Sequence, residues 1–221
     1  MKIVVTGSSR GIGRAVAERF LAEGHEVCGI DLLPAGFAHP RYTHYVSDVR
    51  DAASLPEIDG VEVLFCNAGT QNGGDDLGTN LVGAMNAAEK YAASPVLRSV
   101  LFNASASAVT GQEFPLYAAS KAGVVGYMKN LAIKLAPRGV TVNAISPGGV
   151  LTESNAPVTG DPAAWKKIMA VTPLGKWATV DEIADWVLFL TTVNRSMSGQ
   201  NLLIDNGEKD LNPTFVWPDQ K

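Results

Sequence analysis

The chain has 221 residues, 46 % hydrophobic and 18 % charged, which suits one globular domain able to bury a core without disulfides or metals. A formal net charge of −4 argues against nucleic acid or an anionic membrane as partner, and no apolar run is long enough to span a bilayer. Met1 leads straight into an apolar run with no signal-peptide pattern, and Cys28 and Cys66 lie in apolar stretches; the expectation is a cytoplasmic protein with buried reduced thiols.

Lys2-Ile3-Val4-Val5 reads as the first strand. The run Thr6-Gly7-Ser8-Ser9-Arg10-Gly11-Ile12-Gly13 follows, and Ile12, Val16 and Phe20, four apart, mark a helix that Gly24 stops. Glu26 to Ile30 is a second strand, Thr43 to Val46 a third and Val61 to Cys66 a fourth. A helix of small residues runs from about Asn80 to Tyr91, and a strand begins at Val100 and reaches Asn103. Pro115 to Ala136 is one long helix whose Ala118, Ala119, Ala122, Gly123 and Gly126 permit close approach of another helix. Val140 to Ile145 is a strand, short helices lie near 162–170 and 180–191, and Asn201 to Ile204 is the last strand. His25, His39 and His44 lack metal-ligand spacing and read as loop and surface residues, so no metal is expected.

Alternating strands and helices imply parallel pairing through right-handed crossovers. The expected fold is α/β: a single-domain Rossmann-type doubly wound parallel sheet with helices on both faces, spanning 1–221. Residues 151–178 would form a lid on the substrate side, with Trp165, Met169 and Trp177 among charged neighbours. Residues 208–221 would be a tail, with Phe215 and Trp217 anchoring it on a neighbouring subunit.

Glycines at a strand-to-helix turn let backbone approach a ligand, and the free N–H groups of the helix start favour a phosphate. Gly7, Ser9, Arg10, Gly11, Ile12 and Gly13 are therefore candidate contacts for a dinucleotide. Asp31 ends the second strand, eighteen residues beyond Gly13; its carboxylate suits a ribose diol and repels a 2′-phosphate, favouring NAD over NADP. Arg10 pulls the other way, because a guanidinium pairs with phosphate. Tyr117 and Lys121 are four apart on the long helix and share a face, so the ammonium favours the phenolate for acid–base work. Ser105, after a strand, is placed to hydrogen-bond the same substrate oxygen.

Together these residues resemble the short-chain dehydrogenase/reductase family, nearly end to end. The glycine loop fits, as do Val46-Ser47-Asp48-Val49, Asn67-Ala68-Gly69, Tyr117-Ala118-Ala119-Ser120-Lys121, Pro147-Gly148-Gly149-Val150-Leu151-Thr152, Ser198-Gly199-Gln200 and Asp205-Asn206-Gly207. The resemblance implies that Asp48 and Val49 lie by the adenine and Asn67, Ala68 and Gly69 by the adenosine ribose. It places Pro147, Gly148, Val150 and Thr152 at the nicotinamide. It makes Tyr117 the acid/base and has Lys121 lower its pKa and bind the nicotinamide ribose. Ser105 would orient the substrate oxygen, and Asn80 would hold a relay water. The implied activity is NAD-dependent hydride transfer to or from a secondary alcohol or its ketone, by a homotetramer or dimer that packs through the helices at Asn80–Tyr91 and Pro115–Ala136. An NADPH-dependent ketoacyl-type reductase using Arg10, or a silent nucleotide sensor, are the rival readings.

Departures from the pattern carry expectations too. Only ten residues separate Gly69 from Asn80, so the helix relatives build there is short or missing, and Asn86 competes with Asn80. Ser105 stands one residue nearer Tyr117 than usual, with Ser107 as fallback. Asn206 replaces a common glycine in a turn that asparagine tolerates.

Overall fold

Strands of unbroken apolar residues need cover on both faces, and the central strands of the sheet receive it. The computed structural model describes residues 1–111, 114–209 and 211. Its elements in chain order are β1 (Lys2–Thr6), α1 (Gly11–Ala22), β2 (Glu26–Asp31), β3 (Tyr42–Val46), β4 (Val63–Cys66), α2 (Gly83–Tyr91) and β5 (Ser99–Asn103). There follow α3 (Ser107–Thr110), α4 (Pro115–Leu135), β6 (Thr141–Pro147), α5 (Ala156–Thr159), α6 (Pro162–Val171), α7 (Val180–Leu188) and β7 (Asn201–Ile204). The strands form one parallel sheet in the order β3-β2-β1-β4-β5-β6-β7. Chain direction across the sheet reverses between β1 and β4, where ligands bind in folds of this kind.

Successive side chains of each strand enter opposite cores. Val4, Leu64, Cys66, Val100 and Phe102 pack with α2 and α4, while Ile3, Val5, Phe65, Leu101 and Ile145 pack with α1 and α7. Cys28 and Cys66 are buried free thiols, and burial pushes both above the ordinary thiol pKa. The start of α7 is fixed by a capping box: Thr179 Oγ1 accepts the Glu182 N–H at 3.1 Å, and Glu182 Oε2 accepts the Thr179 N–H at 2.9 Å. No helix among the described residues is long and apolar enough to cross a membrane.

Three sequence expectations are corrected. His44 lies within β3, not in a loop: Tyr42 Oη is 2.9 Å from its Nδ1, and its Nε2 is 2.9 Å from the Leu33 carbonyl. The fourth strand starts at Val63; Glu62 uses its N–H to reach the Lys2 carbonyl at 2.9 Å before the ladder begins. The helix expected from Asn80 starts at Leu77 with a widened, π-type stretch over Leu77–Val82 that continues into α2. Residues 70–75 hold no helix, so the stretch before Asn80 has only a short helical start, as the short spacing implied. Asn206 has φ +58°, a left-handed turn that asparagine accepts. Phe215 and Trp217 lie outside the described residues.

Candidate active site

The carboxyl ends of β1, β4 and β5 are laced together by side chains. Thr6 Oγ1 accepts the N–H groups of Asn67 and Ala68 at 2.9 and 3.0 Å, and Asn67 Nδ2 donates to the Thr6 and Gly7 carbonyls at 3.1 Å each. Asn67 Oδ1 in turn accepts from Asn103 Nδ2 at 2.8 Å. The glycine loop is clamped so closely that a Cβ on Gly13 would come within 1.9 Å of the Gly7 carbonyl oxygen, and Gly7 itself has φ +69°. Asn67 therefore shapes the loop and is not itself free for a ligand.

No side chain caps α1, and its first turn carries no acid, so its N–H groups are left for an anion at Gly11, Ile12 and Gly13. Asp31 stands beside this turn. Its two carboxylate oxygens accept the N–H groups of Ser9 and Leu33 at 2.9 Å each, which fixes the charge at the end of β2. Arg10 is exposed. Asp48 faces Arg50, 2.6 Å away; the guanidinium holds the Asp48 carboxyl below its usual range. Val49 is buried against Gly83 at the start of α2.

A cavity of about 460 Å³ gathers Ile12, Ser105, Tyr117, Lys121, Thr152 and Trp177. Lys121 is only 5 % exposed. Its Nζ donates to the Asn103 carbonyl at 2.8 Å and lies 5.8 Å from the centre of the Tyr117 ring. Burial pushes its pKa down to about 8, partly opposed by the Asp76 carboxylate. Pro147, Gly148 and Val150 line the same space, and Thr152 reaches toward the loop, its Cγ2 lying 3.8 Å from where a Cβ on Gly11 would stand. A second groove of similar size, between α1 and the start of α7, shares Thr152 with it and holds Gly11, but none of Ser105, Tyr117 and Lys121.

Ser105 lines the cavity and Ser107 stands behind it: the two Oγ atoms are 3.0 Å apart, and Ser105 Oγ accepts the Ser107 N–H at 3.2 Å. Asn80 is buried in the widened stretch. Its Nδ2 donates to Ser120 Oγ and the Thr70 carbonyl at 2.9 Å each, and its Oδ1 accepts the Thr70 N–H at 2.8 Å. Both amide protons are committed, so Asn80 offers a water only acceptor atoms. Gly69 links this position to the lysine: a Cβ there would be 2.9 Å from Asn80 Oδ1 and 3.4 Å from Lys121 Nζ. Asn86 points elsewhere, donating to the Val49 and Arg50 carbonyls.

Asn103 was not singled out by sequence, yet it holds Lys121 through its carbonyl, and its Oδ1 is a buried acceptor with no partner among the described residues. Its place at the end of β5, beside the end of β4, is the signal that could have found it.

Residues 77–209 match the family model described as enoyl-(acyl carrier protein) reductase. The chain is 30 % identical over 241 aligned positions to glucose 1-dehydrogenase of Gluconobacter oxydans, covering 93 % of this chain and 91 % of that one. It is 34 % identical over 245 positions to (+)-borneol dehydrogenase 1 of Salvia officinalis, with 95 % and 94 % covered. This chain belongs to the short-chain dehydrogenase/reductase family. An oxidoreductase of that family from Burkholderia thailandensis superposes with a TM-score of 0.86 at 30 % identity, over 94 % of this chain and 92 % of that one. A short-chain dehydrogenase/reductase is an oxidoreductase that binds NAD(P), and the residues here fit such a cofactor. The uncapped start of α1 suits a diphosphate, and the unpartnered Asn103 Oδ1 suits a donor group brought by a ligand.

Proposed function

We propose that this chain transfers hydride between NAD(H) and a secondary alcohol or its ketone. The observation that carries the reading is the meeting of Ser105, Tyr117 and Lys121 with Ile12 and Thr152 around one cavity. Gly7, Ser9, Gly11, Ile12 and Gly13 would hold the diphosphate, Asp31 the adenosine ribose, and Asp48 and Val49 the adenine edge. Asn67, Ala68 and Gly69 would shape the floor beneath the ribose, and Pro147, Gly148, Val150 and Thr152 would border the nicotinamide. When bound, that cofactor supplies or accepts the hydride.

The protein residues handle the proton. Lys121, buried near the Tyr117 ring, favours the phenolate. Tyr117 then takes the hydroxyl proton of an alcohol, or returns one to a ketone oxygen. Ser105 hydrogen-bonds that oxygen and fixes its distance from Tyr117, an orienting role. Asn80 supports a relay water behind Lys121 through its acceptor atoms. Relatives named as dehydrogenases of glucose and of borneol support alcohol chemistry, without choosing between polar and apolar substrates.

NAD is the preferred cofactor in this reading. The Asp31 carboxylate is pinned by two N–H groups and cannot swing away from a 2′-phosphate. Fluorescence titration is expected to give NADH a Kd at least about tenfold below that of NADPH, about 1.4 kcal/mol. Asp31→Ser should narrow the gap. Tighter binding of NADPH by the unmodified protein would instead favour the reductase reading, with Arg10 as the phosphate contact.

A further inference from the structure

The turn after β2 that carries Asp31 has little packing to hold it: Leu32 and Leu33 are 57 % and 44 % exposed. A segment with so few buried apolar contacts depends on hydrogen bonds for its shape. Leu33 is held at both ends. Its N–H donates to Asp31 Oδ1 at 2.9 Å, and its carbonyl accepts from Ser9 Oγ at 3.2 Å and lies 2.9 Å from His44 Nε2.

A closed ring of polar contacts runs from that carbonyl back to the glycine loop. A carbonyl only accepts, so His44 Nε2 carries a proton. In the neutral imidazole Nδ1 is then the acceptor, and Tyr42 Oη, 2.9 Å away, donates to it. Burial holds the Tyr42 phenol above its usual pKa, so that proton is present. Tyr42 Oη in turn accepts from Ser8 Oγ at 2.9 Å, and Ser8 is fully buried next to Ser9.

The sheet is built to admit this ring. Tyr42 and His44, two apart in β3, stand on one face of the strand. In β2 the facing residue is Gly29, where a Cβ would come within 2.1 Å of Tyr42 Oη and 2.3 Å of Ser8 Oγ, so only glycine lets the two hydroxyls meet. Phe37 stacks on Tyr42, with ring centres 4.3 Å apart and planes at 25°. Neither Tyr42 nor His44 lines the cavity that gathers Tyr117 and Lys121.

We infer that His44, together with Tyr42, is a positioning residue for cofactor selection: it ties the Leu33 carbonyl to the glycine loop and so keeps the Asp31 carboxylate where a 2′-phosphate would have to stand. This rests on the NAD reading above. A like charge rejects a competitor only while it is kept from moving aside. Without the His44 donor the Leu33 carbonyl keeps only the longer Ser9 bond, and the turn gains freedom to carry Asp31 away from an incoming phosphate. His44 acts through Leu33 and Ser8, so its loss changes discrimination between nucleotides and leaves the proton-transfer residues untouched.

The test is fluorescence titration of NADH and NADPH into the full chain and its variants. His44→Phe keeps a ring in β3 and removes both nitrogens. The ratio of the NADPH Kd to the NADH Kd should then fall about three- to tenfold, the worth of one hydrogen bond. His44→Gln, whose side-chain amide still offers a donor to the Leu33 carbonyl, should restore most of the ratio. Tyr42→Phe deletes one hydroxyl and should shift the ratio in the same direction as His44→Phe. A ratio unchanged in His44→Phe, including one in which both nucleotides weaken equally, overturns the inference, as does an equal fall in His44→Gln. If His44→Phe fails to fold, judged by loss of cooperative thermal unfolding, Tyr42→Phe decides: an unchanged ratio overturns the inference, and a lowered one supports it. Failure of the underlying reading shows in the unmodified protein, before any variant is compared. Tighter binding of NADPH than of NADH, or binding of neither, removes the NAD reading and the inference with it.

Discussion

Tyr117→Phe is expected to lower kcat by about 10²–10⁴-fold, the usual worth of a positioned acid or base, while the Kd for NADH stays unchanged within error. The substitution deletes one hydroxyl and leaves the ring. Tyr117 is partly exposed, and the helix around it is held by other bonds: Ser120 Oγ donates to the Tyr117 carbonyl at 2.7 Å, and Lys121 holds the Asn103 carbonyl. Folding and cofactor binding therefore do not depend on the phenol. Steady-state kinetics and a fluorescence titration on the same preparation separate the two effects. Full activity in the variant would remove Tyr117 from the proton transfer, whatever its place in the cavity.

Lys121→Met should abolish most activity and alter stability in a pH-dependent way. The folded protein holds this ammonium with a pKa near 8 against 10.5 for the free side chain, chiefly because burial disfavours the charge. The folded-state value is lowered, so the unfolded chain binds more protons between the two values. The cost of keeping the charge is present in full below about pH 8 and is relieved as pH rises to 10.5. That cost is about 3 kcal/mol on the usual conversion, an order-of-magnitude figure. Methionine removes it, but leaves the Asn103 carbonyl without its donor, which costs about 1–3 kcal/mol. The expected outcome is a variant at least as stable as the parent at pH 7, whose relative stability declines by about 3 kcal/mol by pH 10.5. Denaturant titrations at several pH values measure this directly. A variant equally disadvantaged at every pH would show that the buried ammonium carries no such penalty. That result would contradict burial as the cause of the lowered Lys121 pKa.

Much of this architecture was legible because its signals are local. Apolar runs such as Ile3–Val5 and Val63–Cys66 announce strands covered on both faces, and they enter the two cores as expected. Gly7 and Gly13 were readable because the turn tolerates nothing larger. The Tyr117–Lys121 spacing was readable because a helix puts those positions on one face. What stayed hidden depends on backbone or on distant contacts. The widened stretch at Leu77–Val82 breaks helical periodicity, so the sequence placed the helix start three residues late. The four residues of α3 are too few to show a period at all. Asn103 works through its carbonyl, which every residue has, so its identity gave no sign of holding Lys121. The strand from Thr43 to Val46 was legible, yet His44 within it was read from its lack of metal-ligand spacing alone, which says nothing of its bonds to Tyr42 and Leu33.

Hydride transfer itself is tested most directly by following NADH formation from NAD across secondary alcohols, polyols, sugars, hydroxyacyl compounds and hydroxysteroids, with Tyr117→Phe measured in parallel. The expected result is NADH formation with at least one class and its loss in the variant. Tight cofactor binding with no turnover of any class, under NAD or NADP, would contradict an alcohol dehydrogenase and leave a nucleotide-binding protein without this chemistry.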